Sequence, residues 1–381
     1  MEYEIIRLST KDYSEAIDFI NMVFSMNYCP HNFPEMLPVL YKPTEEHMKC
    51  HYVIKEKGKI KALVGIYPAE IVINENIFRM ARIGAVSTHP NSQGKNMMKT
   101  LMEFATKKIK QGGYSIAYLG GLRNRYLYFG YEKCGYKMVF KLNKSNIEHN
   151  EFPKRDLILE KQIKEDYEIM VELNNLYKKQ PIYFKRKNKD FFDICRSWNN
   201  NLYVAREKDK VVGYLVTDNK RVKITELIAI DNEYRLAMLN EFYRDSSVKI
   251  DVCSADYKFI RQLGNYAEEV NIQDSHNWQI FDWKNIIRTL LEIKQKGCKL
   301  ISGENIFTIK GIGSFRISVI AKKVMCESID TCSINEFSSS EFLRIAFGPL
   351  PPSLIIDLPE ELKIFENWFP LPLCISFQDG A

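Results

Sequence analysis

The sequence predicts an α/β chain of three units: two related units, each a mixed sheet flanked by helices, and a third, α+β unit. Three observations carry this. At 381 residues the chain exceeds the size at which one hydrophobic core keeps growing. A nine-residue hairpin pattern, Tyr52-Val-Ile-Lys-Glu-Lys-Gly-Lys-Ile60, returns as Tyr203-Val-Ala-Arg-Glu-Lys-Asp-Lys-Val211. Each copy is followed by an apolar strand, Ile83 to Ser87 or Ile224 to Ile230, and then by a helical pattern.

Composition narrows the function classes. Hydrophobic residues make up 45% and charged residues 27%, which is ordinary for a globular protein and not for a disordered one. The net charge of +6 is mild, and Lys and Arg alternate with Asp and Glu instead of forming a basic tract, so no nucleic-acid partner is expected. Met1 to Thr10 lack the apolar core of a secretion signal, and no stretch is long enough to span a bilayer. The nine cysteines, Cys29, Cys50, Cys134, Cys195, Cys253, Cys298, Cys326, Cys332 and Cys374, form no CxxC pair, which fits a reducing, cytoplasmic setting.

The first element is a helix capped by Ser9 or Thr10, with Ala16, Ile17, Ile20 and Phe24 on one face. Four prolines between Cys29 and Pro43 mark a loop, and His51 to Val64 and Ile66 to Phe78 read as successive strands with a turn at Gly58. Ile83 to Pro90 is a strand, Asn91 to Asn96 a loop, and Met97 to Lys110 a helix whose apolar face is Met98, Leu101, Met102, Ala105 and Ile109. Gly112-Gly113 ends that helix, and Tyr114 to Leu119 is the next strand. The second copy has Asp231-Asn-Glu-Tyr-Arg235 in place of the glycine loop, so it is read as degenerate. After Trp283 come a helix, Asn285 to Lys296, strands near Asn305 to Ile309 and Phe315 to Ala321, a short helix near Pro359 to Phe365, and an uncharged tail expected to dock. The expected units are 1–147, 148–282 and 283–381.

The loop before Met97 carries the chemistry. A helix amino terminus offers unpaired N–H groups and the positive end of the dipole, which makes an anion site. Gly94 lets backbone approach a phosphate without a Cβ between them, and Gln93 and Lys95 add donors. Alone, these residues name no particular phosphate. His47, Cys50 and His51, with Cys29 and His31 nearby, have no paired metal-ligand spacing, so no metal site is expected. His89, before Pro90, is read as shaping the strand end.

Downstream, Gly120-Gly-Leu-Arg-Asn-Arg-Tyr126 leads into Phe129-Gly130-Tyr131. Here the sequence resembles the GCN5-related N-acetyltransferase (GNAT) superfamily: core strand, pyrophosphate loop and helix, next strand, then a Tyr one turn before Phe-Gly-Tyr. Over the whole chain it resembles the Enhanced intracellular survival (Eis) type, with an active first GNAT fold, a degenerate second one and a sterol-carrier-protein-like α+β end. The resemblance implies acetyl-CoA as co-substrate, lying in a splayed gap between the strands Ile83 to Ser87 and Tyr114 to Leu119. It implies contacts from the strand end Val86, Ser87 and Thr88, from the loop Gln93, Gly94, Lys95 and Asn96, and from the helix start Met97 and Met98. The family loop has Gly or Ala where this chain has Asn96 and Met98; Asn tolerates positive φ, and Met98 is larger than the pattern.

Under this resemblance the chain moves an acetyl group to a primary amine, of a small polycation such as an aminoglycoside or of lysine. A backbone N–H at Val86 or a neighbour serves the oxyanion, and Tyr126 protonates the departing thiolate. The terminal carboxylate of Ala381, with Asp379 as the alternative, is the candidate base. Arg123 and Arg125 either meet CoA phosphates or pair with acids. Eis-type relatives imply a homo-oligomer, a hexamer in that group. A CoA- or lipid-binding protein without turnover is the alternative class.

Overall fold

The computed structural model describes all 381 residues except Met1, Glu2, Tyr28, 244–246 and Cys332; the side chain of Asn27 is also outside the description. The expected cysteine at 332 therefore lies outside the described residues. The eight described cysteines are all free thiols. No helix among the described residues is long and apolar enough to cross a membrane.

Two large mixed sheets form the first two layers. The first has eight strands, in the order Ile6–Arg7, His51–Glu56, Lys59–Ile73, Asn76–Thr88, Ile116–Leu119, Asn277–Ile280 and Glu132–Lys133, with Ile182–Phe184 also pairing Lys59–Ile73. The second has seven: Glu269–Asp274, Tyr136–Leu142, Val248–Cys253, Lys223–Ala229, Lys210–Thr217, Asn201–Glu207 and Leu157–Lys161. Both are mainly antiparallel, with one parallel pair each, Asn76–Thr88 with Ile116–Leu119 and Lys223–Ala229 with Val248–Cys253.

The internal repeat has matching geometry in both copies. Lys55 pairs with Ile60 after a register shift at Ile54, and Arg206 pairs with Val211 after a shift at Ala205, the same position in the nine-residue pattern. Lys57 and Lys208, again equivalent, both take positive φ, 49° and 55°. The shared sequence thus encodes a shared bulged hairpin. The helix Asn232–Phe242 takes its N-cap from Asp231, whose carboxylate accepts from the Tyr234 N–H, and Glu233 sits in its first turn. Carboxylates occupy the amino terminus where a phosphate would have to sit, which is the physical content of "degenerate".

The two sheets exchange equivalent strands. Tyr136–Leu142, which follows the first unit's last helix, pairs in the second sheet beside Val248–Cys253. Asn277–Ile280, at the end of the second unit, pairs in the first sheet beside Ile116–Leu119. The sheets are therefore not contiguous in sequence, unlike the expected segments 1–147 and 148–282. A period of two specifies a strand but not the edge it joins.

One strand assignment is corrected. Instead of breaking between Val64 and Ile66, Lys59–Ile73 runs straight through Gly65, and the chain reverses at Asn74 and Glu75, both at positive φ. Gly65 is there for packing: a Cβ on it would lie 2.4 Å from the Tyr67 hydroxyl oxygen. That hydroxyl is 3.0 Å from both the Tyr41 hydroxyl and His51 Nε2, and all three rings are buried. Burial depresses the His51 pKa to about 4. The unfolded chain binds a proton at His51 near pH 6.5 and the folded chain does not, so stability from this residue is complete above that pH and lost as pH falls towards 4. A fall of up to about 3 kcal/mol is expected between pH 7 and 4, and His51→Gln should flatten that part of a Tm-against-pH curve.

The third unit packs the helix Trp283–Gly297 and the helix Ser339–Phe347 on a four-stranded sheet, Lys323–Ile329, Gly313–Ile320, Gly303–Ile309 and Glu336–Phe337. The strands and the first helix lie where the pattern places them; Lys323–Ile329 and Ser339–Phe347 add to it. Aromatic rings fill the interior, with Phe307 stacked 4.3 Å from Phe342 and both close to Phe365. This core is continuous with one face of the first sheet through Met80, Tyr118 and Trp278. Phe369 and residues 371–375 are buried and Pro370 is half-buried, so the tail docks as expected.

Candidate active site

The strand Asn76–Thr88 makes the site by parting from its neighbours. On its antiparallel side Gly84 faces Gly65 and Ser87 faces Leu63, so one extra residue is inserted, and Ala85 takes φ +53°. A left-handed alanine costs on the order of 1 kcal/mol and bends the strand. On its parallel side pairing with Ile116–Leu119 ends at Ile83, opposite Leu119. Neither Ala85 nor Val86 has a register partner on either side.

The loop beyond the strand end folds as an anion cradle. His89 Nδ1 accepts from the Asn91 N–H, shaping the turn as expected. Gly94 and Asn96 both adopt positive φ, 78° and 59°, and a Cβ on Gly94 would meet nothing within 4 Å. Asparagine thus takes the left-handed conformation that the loop needs. The helix Met97–Gln111 then begins with no side-chain cap and no acidic residue in its first turn, and ends with Lys108 and Lys110 in its last. Its amino terminus is left for a ligand anion. Met97, not Met98, belongs to the buried face; Met98 is half-buried and lines the cleft. Lys95 points elsewhere: its Nζ lies 3.4 Å from Glu56 and it does not line the cleft.

The opposite wall is Gly120, Gly121, Leu122, Arg125 and Tyr126. Tyr126 is 4% exposed and reaches the cleft. Gly121, at φ +114°, makes room for it, since a Cβ there would stand 2.8 Å from the tyrosine Cε2. Gly130 at positive φ turns the chain so that Tyr131 is buried in the core behind the wall. Arg123 forks onto Glu132, which is fully buried, so of its two open roles the structure shows the ion pair. Arg125 stays in the cleft wall.

Four further contributors were not legible as site residues. Val23 and Phe24, the latter read as a helix-face residue, line the cleft with His31. Trp198 arrives from the second unit, held at φ 61°, ψ 32°, a backbone region that bulky residues rarely adopt. Nothing in a local window marks it. Ala381, already named as the candidate base, also lines the cleft: its carboxyl carbon would lie 2.9 Å from a Cβ on Gly84, so glycine there is what admits it. The cleft measures about 720 Å³.

Asp379, the alternative base, is excluded. Its carboxylate is 3% exposed and is held by Arg186, at 2.8 and 3.0 Å, and by the Tyr177 hydroxyl at 2.9 Å. It does not line the cleft. Among the described residues no group of three or more His, Cys, Asp or Glu could hold a metal.

The residues present fit an acyl-CoA. An uncapped helix start with two left-handed residues before it suits a pyrophosphate, and the parted strands leave a slot leading to Tyr126.

Comparisons with known proteins agree with this geometry. The model for the acetyltransferase (GNAT) domain family matches residues 4–139. No curated protein matches in sequence. Among solved structures, a GCN5-related N-acetyltransferase from Kribbella flavida superposes with a TM-score of 0.70 at 12% identity, covering 98% of this chain and 99% of its own. One from Anabaena variabilis gives 0.67 at 16%, covering 98% and 99%. Eis1 from Mycobacterium abscessus gives 0.67 at 11%, covering 99% and 100%. At such identities the likeness is one of fold, and it extends over the whole chain.

Proposed function

We propose that the chain, whose residues 4–139 match the acetyltransferase (GNAT) domain model and whose fold is like that of Eis1, is an acyl-CoA-dependent N-acyltransferase that moves an acetyl group from acetyl-CoA to a primary amine by direct attack within the Tyr126 cleft. The observation that carries this reading is the convergence of two opposite chemical functions on one cleft, a buried phenol and the chain's own terminal carboxylate.

Acetyl-CoA supplies the thioester. The residues supply the rest. Gln93, Gly94 and Asn96 and the start of the helix Met97–Gln111 hold the phosphates, with Thr88 and Ser87 beside the slot. Ala85 and Val86, out of register with both neighbouring strands, offer a backbone N–H to the carbonyl oxygen as charge develops there. Ala381 accepts the proton of the incoming ammonium, directly or through a water, so that the amine attacks uncharged. Tyr126 donates a proton or hydrogen bond to the departing sulfur.

The walls also speak to the acceptor. Ala381 is the only carboxylate among the described lining residues, and Phe24, His31 and Trp198 provide aromatic surface. One anion beside aromatic faces suits a singly charged amine, through charge pairing and cation–π contact. Of the two expected acceptors this favours lysine, or an amine of similar charge, over a polycation. The third unit, with its aromatic interior filled, is read as a buttress for the tail and the first sheet.

Thiol release from acetyl-CoA over a panel of amines tests the proposal. Turnover is expected with lysine-like monoamines and weaker turnover with aminoglycosides. CoA binding without release for any amine would leave a binding protein instead of an enzyme.

A further inference from the structure

We infer that the second unit's strand gap is a receptor for this chain's own carboxy-terminal tail, and that Arg186 and Glu226 within it are the latch that sets Ala381 in the active cleft. The inference rests on the reading of Ala381 as the base and gives the degenerate unit a task in the same reaction.

The gap is the structural equivalent of the active one. In the first sheet the parallel strands part beyond Ile83 and Leu119. In the second, Lys223–Ala229 and Val248–Cys253 pair only at Lys223 with Lys249 and Ile224 with Ile250, and part beyond. The first gap is open, about 720 Å³. The second leaves only about 80 Å³, because residues 374–377 line it together with Thr225 to Ile228 and Asp251 to Cys253. The tail lies where a ligand would otherwise enter.

The contacts are those of a specific site. Arg186, 1% exposed, pairs with both Glu226 and Asp379, and its guanidinium lies 3.8 Å above the Tyr177 ring. The Ser376 hydroxyl donates to Glu226, which also accepts from the Tyr214 hydroxyl. Gln378 donates to the carbonyls of Cys195 and Ser197, both 3.2 Å away. The first unit grips the same point from its side: the Tyr118 hydroxyl donates to the Asp379 carbonyl at 2.6 Å. From Asp379 two residues remain, and Gly380 passes beside the Trp198 indole before the chain ends against Gly84. Only the backbone of Gly380 and Ala381 separates the terminal carboxylate from Asp379, so where Asp379 is held limits where that carboxylate can reach. Arg186, Glu226, Tyr177 and Asp379 are therefore positioning residues that act through Ala381.

The test uses the full chain and two readouts. Asp379→Ala leaves Arg186 paired with Glu226, so the fold is retained while the tail loses its anchor. Hydrogen exchange of residues 376–381 should lose protection, and kcat/KM for the amine should fall about 100-fold at pH 7, the scale of a lost general base. The loss should shrink as pH rises towards the amine's own pKa, because free amine then needs no base; damage to the fold would not be repaired by alkali. Tyr177→Phe, a milder change, should show the same pattern in smaller measure. A chain extended by one glycine beyond Ala381 keeps the latch but moves the carboxylate, so protection should persist while activity falls. Retained protection in Asp379→Ala would overturn the latch. Lost protection with full activity would uphold the latch and sink Ala381 as the base.

Discussion

Tyr126→Phe is expected to lower kcat by about 100-fold or more while leaving the affinity for CoA nearly unchanged. The change removes one oxygen from a buried ring whose place is secured by the missing side chain of Gly121 and by the Phe129-Gly130-Tyr131 turn that follows. Packing is preserved, so the loss belongs to the chemistry. General acids contribute about two to four orders of magnitude, and a thiolate leaves more readily than an alkoxide, which places the effect near the low end. The anion cradle lies on the opposite wall, on the helix Met97–Gln111, and does not depend on the phenol. Steady-state kinetics with isothermal titration of CoA checks both halves. An unchanged kcat would remove Tyr126 from the reaction, and a lost CoA affinity would move it to the binding site.

Arg186→Met is expected to be the most destabilising single substitution at the tail. The guanidinium is buried, which opposes its charge, yet Asp379 and Glu226 hold its pKa well above the ordinary arginine value. Removing it leaves two carboxylates buried within one site. Breaking a buried ion pair from one side costs about 3–5 kcal/mol, and here two partners lose their counter-charge at once. Thermal unfolding should show a marked loss at pH 7 that lessens in acid, where protonation relieves the orphaned carboxylates. The double variant Arg186→Met with Asp379→Ala should recover part of the loss, since one stranded charge is gone. A double variant no more stable than the single would show that the guanidinium serves packing and not charge.

Much of the site was legible because its logic is local. Gly94, Asn96 and the helix beginning at Met97 form one continuous segment, and the amino terminus of a helix is an anion site whatever surrounds it. Tyr126 and the Phe-Gly-Tyr that follows are equally local. The face of that helix was misread by one residue, Met98 for Met97, because a first-turn side chain is placed by the loop before it and not by helical period alone. Lys95 was drawn away by Glu56, a partner 39 positions earlier that no local window reveals.

By itself, then, the sequence determined the α/β class, the bulged hairpin written twice, the anion loop and the phenol, since each depends on contacts within about thirty residues. Tertiary structure decided the strand exchange that ties the two sheets, the arrival of Trp198 from the second unit, and the burial of Asp379 against Arg186, 193 positions away. It also brought Ala381 to Gly84, across nearly three hundred residues. The physical reason is the same in each case: periodicity and capping are read from neighbours in the chain, whereas charge pairing and close backbone approach depend on which distant surfaces the packed cores bring together.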